Sequence, residues 1–310
     1  MTLLYGRYYE VKLYSSTSGE YLKITAPVQI QFRVSYYPYA VKGTAEITLY
    51  GLNMASMDQI ISKYDRVKLV AGYVGGYDTL FDGNVFTPSK GKYGADQYLL
   101  LYCSMFGRDE SLAHTNTTWG AGTRVCDIVS EIASSLGVPV TFVPPVDSTE
   151  NTFWPSLGRV QRLSISERSY RALDNLGDSH GFFVYRLADR VLIIPGTAHG
   201  SGVVHEISAE NGMEGSPLFT TGPTVNVVTR LNPKLCPGDE IVVKSRYSVV
   251  SAQGANTMDQ TQFTQTKSGR YYASSIIHVG DFYGETWSTS VQGFVNGVNH
   301  NPVTTGDDNG

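Results

Sequence analysis

Apolar and polar residues alternate with a period of two through most of the first hundred positions. In VQIQFRVSY, Ile30, Phe32 and Val34 alternate with Gln29, Gln31 and Arg33. In TAEITLYGL, Ala45, Ile47 and Leu49 repeat the pattern. Such spacing puts one face of a strand in a core and the other in water. YYEVKLYSS and EYLKITA flank the turn-forming STSG and read as a hairpin. DRVKLVAGY, DTLFDGNVF and QYLLLYC add further strands, and SMDQIISKY is a short helical stretch among them.

The period changes after about residue 106. In GTRVCDIVSEIASSLGVPV, Val125, Ile128, Val129, Ile132, Ala133 and Leu136 make one apolar helical stripe. Thr123 is placed to cap its start, and Gly137 and Pro139 to end it. A strand, VTFV, follows, and then 144–164, rich in Pro, Ser and Asn, reads as a long loop. A second helix, SERSYRALDNLGDSHG, presents Tyr170, Leu173 and Leu176, and FFVYRL with VLIIPG makes a hairpin around 188–190.

From about residue 200 strands return as TVNVVTRL, DEIVVKS, RYYASSIIHVG and TWSTSVQG. The polar stretch 251–269 between them and the tail 297–310 have no apolar pattern and are expected to lack fixed structure. Two blocks echo each other: YDRVKLVAGY, TLFDGNVFTP and QYLLLYC against GDEIVVKS, YYASSIIHVG and TWSTSVQG. Each has an Asp-led strand, a turn, a longer strand, a turn and a closing strand, which suggests an internal repeat. The pattern predicts a mainly β protein with an α+β insert, divided at 1–105, 106–199, 200–296 and a tail, 297–310.

Composition narrows function more than fold. The 310 residues are 41% hydrophobic, with 21 tyrosines and a net charge of −4. An acidic balance excludes a general nucleic-acid binder, which needs a basic surface to displace counterions. Cys103, Cys126 and Cys236 are far apart, which excludes zinc ribbons and CxxC redox pairs and leaves buried thiols. No signal-peptide pattern opens the chain and no apolar run is long enough for a membrane helix, so synthesis in a cytoplasm is expected.

The glycine-rich AGYVGGYDTLFDGNV (71–85) raises nucleotide binding, but its flanks are strands with no helix following. A phosphate loop needs a helix N-terminus, so these glycines read as a hairpin turn. The aromatic tip, Tyr73, Val74 and Tyr77, and the segment SYYPYA with Tyr36, Tyr37 and Tyr39 are the candidate contact surfaces. For the first, simple decoration of the hairpin is at least an equal alternative, and for the second, packing over a barrel end is an equal one. Six scattered histidines make no metal-binding spacing, and no GxSxG elbow occurs. Carboxylate pairs Asp109 with Glu110 and Glu206 with Glu210 read as surface charge. No catalytic, cofactor or metal site is expected.

Two stretches carry a family resemblance. ITLYGLNMASMDQIISKYDRVKLVAGYVGGYDTLFDGNV (47–85) resembles the N-terminal domain of baseplate hub proteins of contractile-tailed bacteriophages, through Leu52, Asp65, Val67, Leu69, the Ala71–Gly72–Tyr73 run, Leu80, Phe81, Gly83 and Val85. VVTRLNPKLCPGDEIVVKS with GRYYASSIIHVGDFYGETWST is similar to a later segment of the same family. There Leu231, Asn232, Pro233, Leu235, Pro237, Gly238, His278, Gly280, Asp281 and Trp287 carry the match.

The resemblance implies two tail-tube-like β-barrel domains flanking the small α+β domain, and a homotrimer whose six barrels join a hexameric tail tube to a trimeric central spike. Partners would be the tube and spike proteins, with baseplate wedge and tape measure proteins as further candidates. It also implies a virion protein assembled in the host bacterial cytoplasm, with no enzymatic activity and no cofactor. Its channel would pass DNA without specific binding. Three alternatives stand beside it: the equivalent part of a tailocin or contractile secretion system, a tail-associated peptidoglycan hydrolase, and a glycan-binding module using tyrosines such as Tyr77.

Overall fold

The structure is a computed structural model that describes residues 6–38, 43–105, 112–143, 153–187, 189–196, 203–219, 224–245, 249–250 and 268–294. The first strand set comprises β1 (Arg7–Tyr14), β2 (Tyr21–Ile24), β3 (Gln29–Tyr36), β4 (Thr44–Tyr50), β5 (Arg66–Tyr73), β6 (Gly76–Tyr93) and β7 (Asp96–Ser104). Helix α1 (Met54–Lys63) lies between β4 and β5. The alternation does what its period requires. Ile30, Phe32, Val34, Ala45, Ile47 and Leu49 are all buried, while Arg33 and Glu46 face outward. Asn53 caps α1 by accepting from the Ser56 N–H, and Met57 and Ile60 anchor it to the core.

The second set comprises β13 (Val204–Ser208), β14 (Met213–Phe219), β15 (Thr224–Arg230), β16 (Glu240–Lys244), β17 (Val249–Val250), β18 (Ser268–Asp281) and β19 (Trp287–Phe294). Of these, β13, β14 and β17 are strands that sequence reasoning missed. The two sets are joined edge to edge. Strand β3 pairs antiparallel with β18, from Gln31 opposite Asp281 to Tyr36 opposite Ile276, so among the described residues these fourteen strands form one sheet over one core. The bulk fold is mainly β with an α+β insert, as the pattern predicts.

The sequence echo appears in the connectivity. Strand order runs β3-β4-β7-β6-β5-β1 in the first set and β14-β15-β19-β18-β16-β13 in the second. Local details repeat as well. The Val85 N–H donates to the Asp65 carbonyl at 2.8 Å, and the Ala273 N–H to the Asp239 carbonyl at 2.9 Å. A β-bulge interrupts β6 between Val85 and Thr87, and another interrupts β18 between Ala273 and Ser275. The sets differ at one end, where β1 runs antiparallel to β5 but β13 runs parallel to β16.

Between the sets lies the α+β unit: β8 (His114–Trp119), α2 (Val125–Ser134), β9 (Val140–Phe142), α3 (Phe153–Ser156), β10 (Leu163–Arg168), α4 (Ser169–His180), β11 (Phe182–Arg186) and β12 (Val191–Pro195). All six residues of the predicted helical stripe are buried. Strands β11 and β12 are buried at every position because their sheet is covered twice. Phe182, Val184, Val191 and Ile193 face the helices, while Phe183, Tyr185, Leu192 and Ile194 join the main core.

Three local expectations are corrected. Thr123 does not cap α2; its hydroxyl donates to the Gly120 carbonyl, and Arg124 holds the cap position without a capping side-chain bond, its guanidinium pairing with Asp127 instead. Residues 166–168 are not helix but the end of β10, which pairs with β8. Within the predicted loop 144–164, residues from 153 on form α3 and the start of β10; Trp154 is buried there, its indole N–H donating to the Val143 carbonyl at 3.2 Å. Residues 144–152, most of 251–269 and the tail 297–310 lie outside the described residues.

Candidate assembly surface

The glycine-rich stretch is a hairpin, β5 and β6 joined through Val74 and Gly75. Gly75 has φ of 91°, and the Val74 N–H donates to the Gly6 carbonyl at 2.8 Å. Gly72 is the constrained position: with φ of 153°, a Cβ there would meet the Gly76 carbonyl oxygen at 2.5 Å and Tyr77 Cα at 2.6 Å. Gly72→Ala is therefore expected to cost about 1–3 kcal/mol through forced backbone strain. Thermal unfolding against the wild type measures it, and an unchanged midpoint would show the site to be relaxed.

At the tip, Val74 is 61% and Tyr77 50% exposed, with the Tyr77 ring stacked on Tyr8 at 4.3 Å. Tyr73 points the other way and is buried. In SYYPYA, Tyr36 is buried too: its hydroxyl donates to the Leu80 carbonyl at 2.6 Å and its ring meets the edge of His278. Tyr37 is half-buried, and Tyr39 lies outside the described residues. Tyr36 is the last residue of β3 and Tyr37 follows it, while Tyr73 ends β5 and Tyr77 lies near the start of β6. The structure therefore brings Val74 and Tyr77 together on the surface and uses Tyr36 and Tyr73 inside the chain.

A larger exposed apolar group lies on the β6–β7 hairpin, which sequence reasoning passed over. Tyr93 is 82%, Phe86 66% and Tyr102 43% exposed. Phe86 is the bulge residue, so alternation does not assign it a face. The signal present in the sequence was the length of β6: β5 covers it only to Asn84, and beyond its bulge it pairs with β7 alone among the described residues.

Trp287 marks where the two strand sets lock. It is buried, its ring meets Phe32 edge-on at 5.2 Å, and its indole N–H donates to the Gly72 carbonyl at 3.1 Å. Arg7 lies over the same ring at 5.6 Å and donates to the carbonyls of Asp281, Phe282, Gly284 and Glu285. One guanidinium on β1 thus holds the β18–β19 turn.

Titratable groups build no metal cluster of three or more ligands among the described residues. His278 is buried and bonded at Nδ1 to the Thr289 hydroxyl at 2.8 Å, which burial drives well below its ordinary range. His205 Nε2 lies 3.0 Å from the buried Asp239 carboxylate. Glu206 and Glu210 line one cleft of about 450 Å³, and Glu206 is paired with Lys244. Burial pushes the Cys236 thiol up to about 12, which suits an unreactive residue. No helix among the described residues is long and apolar enough to cross a membrane.

No family model and no curated protein matches the chain. Solved structures do. The tail protein from Neisseria meningitidis MC58 superposes with a TM-score of 0.57 at 9% identity, covering 95% of this chain and 98% of its own. The 43 kDa tail protein of prophage MuSo2 from Shewanella oneidensis gives 0.54 at 10%, covering 93% and 96%. The E. coli c3393 protein, a type VI secretion component described as similar to the T4 tail proteins gp27 and gp5, gives 0.54 at 10%, covering 87% and 74%.

The chain has the phage tail-protein fold. At such identities the likeness rests on strand order and packing, not on shared side chains.

Proposed function

We propose that this chain is a structural hub of a phage tail: a homotrimer seated between the hexameric tail tube and the trimeric central spike. The observation that carries the reading is the repeated strand order within one chain. Three chains, each with two alike strand sets, present six alike units to one partner and three-fold symmetry to the other. The likeness to two tail proteins supports the setting. In this reading the protein works by static packing, without catalysis or cofactor. It is made in the bacterial cytoplasm and ends in the virion, beside the tube and spike and within reach of wedge and tape measure proteins.

The likeness to the c3393 protein favours a second version, the same role in a contractile secretion machine. Neighbouring genes separate the two versions. The trimer is tested by light scattering after size exclusion. A mass three times the 33.9 kDa chain is expected. A chain that stays monomeric at high concentration, alone and with tube and spike proteins added, sinks the hub reading.

A further inference from the structure

We propose that the cavity beside the turn of the β6–β7 hairpin binds a guanidinium group, and that its occupant is an arginine side chain presented by a partner protein. The site goes beyond the hub reading and does not depend on it.

The cavity holds about 650 Å³, within the range of small-ligand sites. Three places in the fold converge on it. The start of β3 supplies Gln29 and Gln31, the last residue of β4 is Tyr50, and the closing pair of the hairpin is Tyr93 and Asp96. The Gln29 and Gln31 amides give their Nε2 groups to the Asp281 carboxylate at 2.5 and 2.9 Å, and the Tyr50 hydroxyl donates to Gln31 Oε1 at 2.9 Å. A carboxylate only accepts, so the orientation of both amides is fixed. Gln29 Oε1 is then left over, buried and without a hydrogen-bond partner among the described residues. Asp96, exposed at the rim, makes no hydrogen bond or ion pair among them either. The wall has its amide donors spent and acceptors to spare, which suits a ligand that brings N–H groups.

Charge narrows the ligand further. Asp281 stands behind the two amides and Asp96 in front of them. Arg7 bonds the Asp281 main-chain carbonyl, not its carboxylate, and Lys92, next to Tyr93, is exposed and pairs with neither aspartate. Burial first, and then Asp281, Tyr98 and Asp96, push the Tyr50 hydroxyl above its ordinary range, and no cation acts against them. A field of that sign between tyrosine rings favours a cation. Tyr50 lies against Tyr98, ring centres 5.9 Å apart, and Tyr93 is 82% exposed at the mouth. A guanidinium fits better than an ammonium, because its plane stacks on a tyrosine while its fork meets a carboxylate with two parallel bonds. The source is a polypeptide because the mouth opens on an exposed hairpin. Farther along that hairpin, Phe86 and Tyr102 offer apolar area for such a partner to cover.

The test is saturation-transfer NMR on the full-length protein with N-acetyl-arginine amide as the probe. Saturation of the arginine δ-methylene is expected, titrating in the millimolar range. Asp96→Asn should weaken binding about tenfold or more, and Tyr93→Ala about two- to fivefold. Both side chains are exposed, so the thermal midpoints of the two variants should match the wild type. N-acetyl-citrulline amide, of the same shape without the charge, should give no saturation. No signal from the arginine probe, equal signals from citrulline, or undiminished binding in both variants each overturns the site. N-acetyl-lysine amide binding as well as arginine overturns the guanidinium assignment. Free arginine carries a carboxylate into the same negative field and should bind more weakly; tighter binding than the capped probe overturns the polypeptide occupant.

Discussion

Trp287→Ala is expected to destabilise the protein by about 3–5 kcal/mol, the usual cost of removing a buried aromatic side chain. Packing is only part of that loss. The indole N–H is the partner of the Gly72 carbonyl, and the ring is the platform under Arg7. Trp287→Phe separates these contributions. It keeps most contact with Phe32 but leaves the Gly72 carbonyl without its donor, an omission worth about 1–3 kcal/mol. Urea unfolding at equilibrium measures both, with Arg7→Ala completing a double-mutant cycle. Coupling between Arg7 and Trp287 is expected, because both hold the β18–β19 turn against the first strand set. Additive effects of the two substitutions would show that the clamp is not one unit.

Trp287 also shows where sequence reading stops. The residue stood out in the resemblance, yet its partners are 215 and 255 positions away along the chain. Such contacts follow from the β3–β18 joint, and no local pattern encodes which strand of one set meets which strand of the other. What was local was legible: the alternation in β3 and β4, the stripe of α2, and the hairpin at Gly75. The Asp-led echo was legible as well, because Asp65 and Asp239 open equivalent strands. The tyrosines were harder. Tyr36 and Tyr77 look alike in a sequence, and only register decides that one is buried against Leu80 while the other stacks in solvent on Tyr8. β8 and β10 were missed because HTNTTW and LSISER carry few apolar residues, and their pairing is mostly polar on its outer side.

Stability is expected to fall as pH drops from 6.5, and His278 is the main cause. The ring is buried between the two strand sets, where Val34 and Thr289 lie opposite it on adjacent strands. The Thr289 hydroxyl accepts from the Asn232 N–H, so it is free to donate its own proton to Nδ1. That arrangement suits a neutral imidazole. Burial lowers the folded-state value from 6.5 to about 3. Above pH 6.5 neither folded nor unfolded chain holds this proton, and the residue adds no pH dependence. Below 6.5 the unfolded chain takes the proton and the folded one does not, so stability falls by about 1.4 kcal/mol per unit. Between pH 6.5 and 4.5 the loss is about 2–3 kcal/mol.

The window is chosen because Glu10, held at about 2 by Lys12 and Lys23, begins to contribute only below its ordinary 4.5. His180, lowered by burial, adds in the same direction and is shared by wild type and variant. His278→Asn keeps an acceptor for the Thr289 hydroxyl but cannot titrate. Its stability at pH 8 is lower than that of the wild type, and its slope between pH 6.5 and 4.5 is much flatter. Urea midpoints at four pH values measure the slope, and parallel lines for the two proteins would overturn the assignment. Because β3 and β18 meet at this ring, the same acidification weakens the joint between the strand sets first. Hydrogen exchange should therefore rise at Val34 and His278 before it rises in α2, whose core lies in a separate cluster.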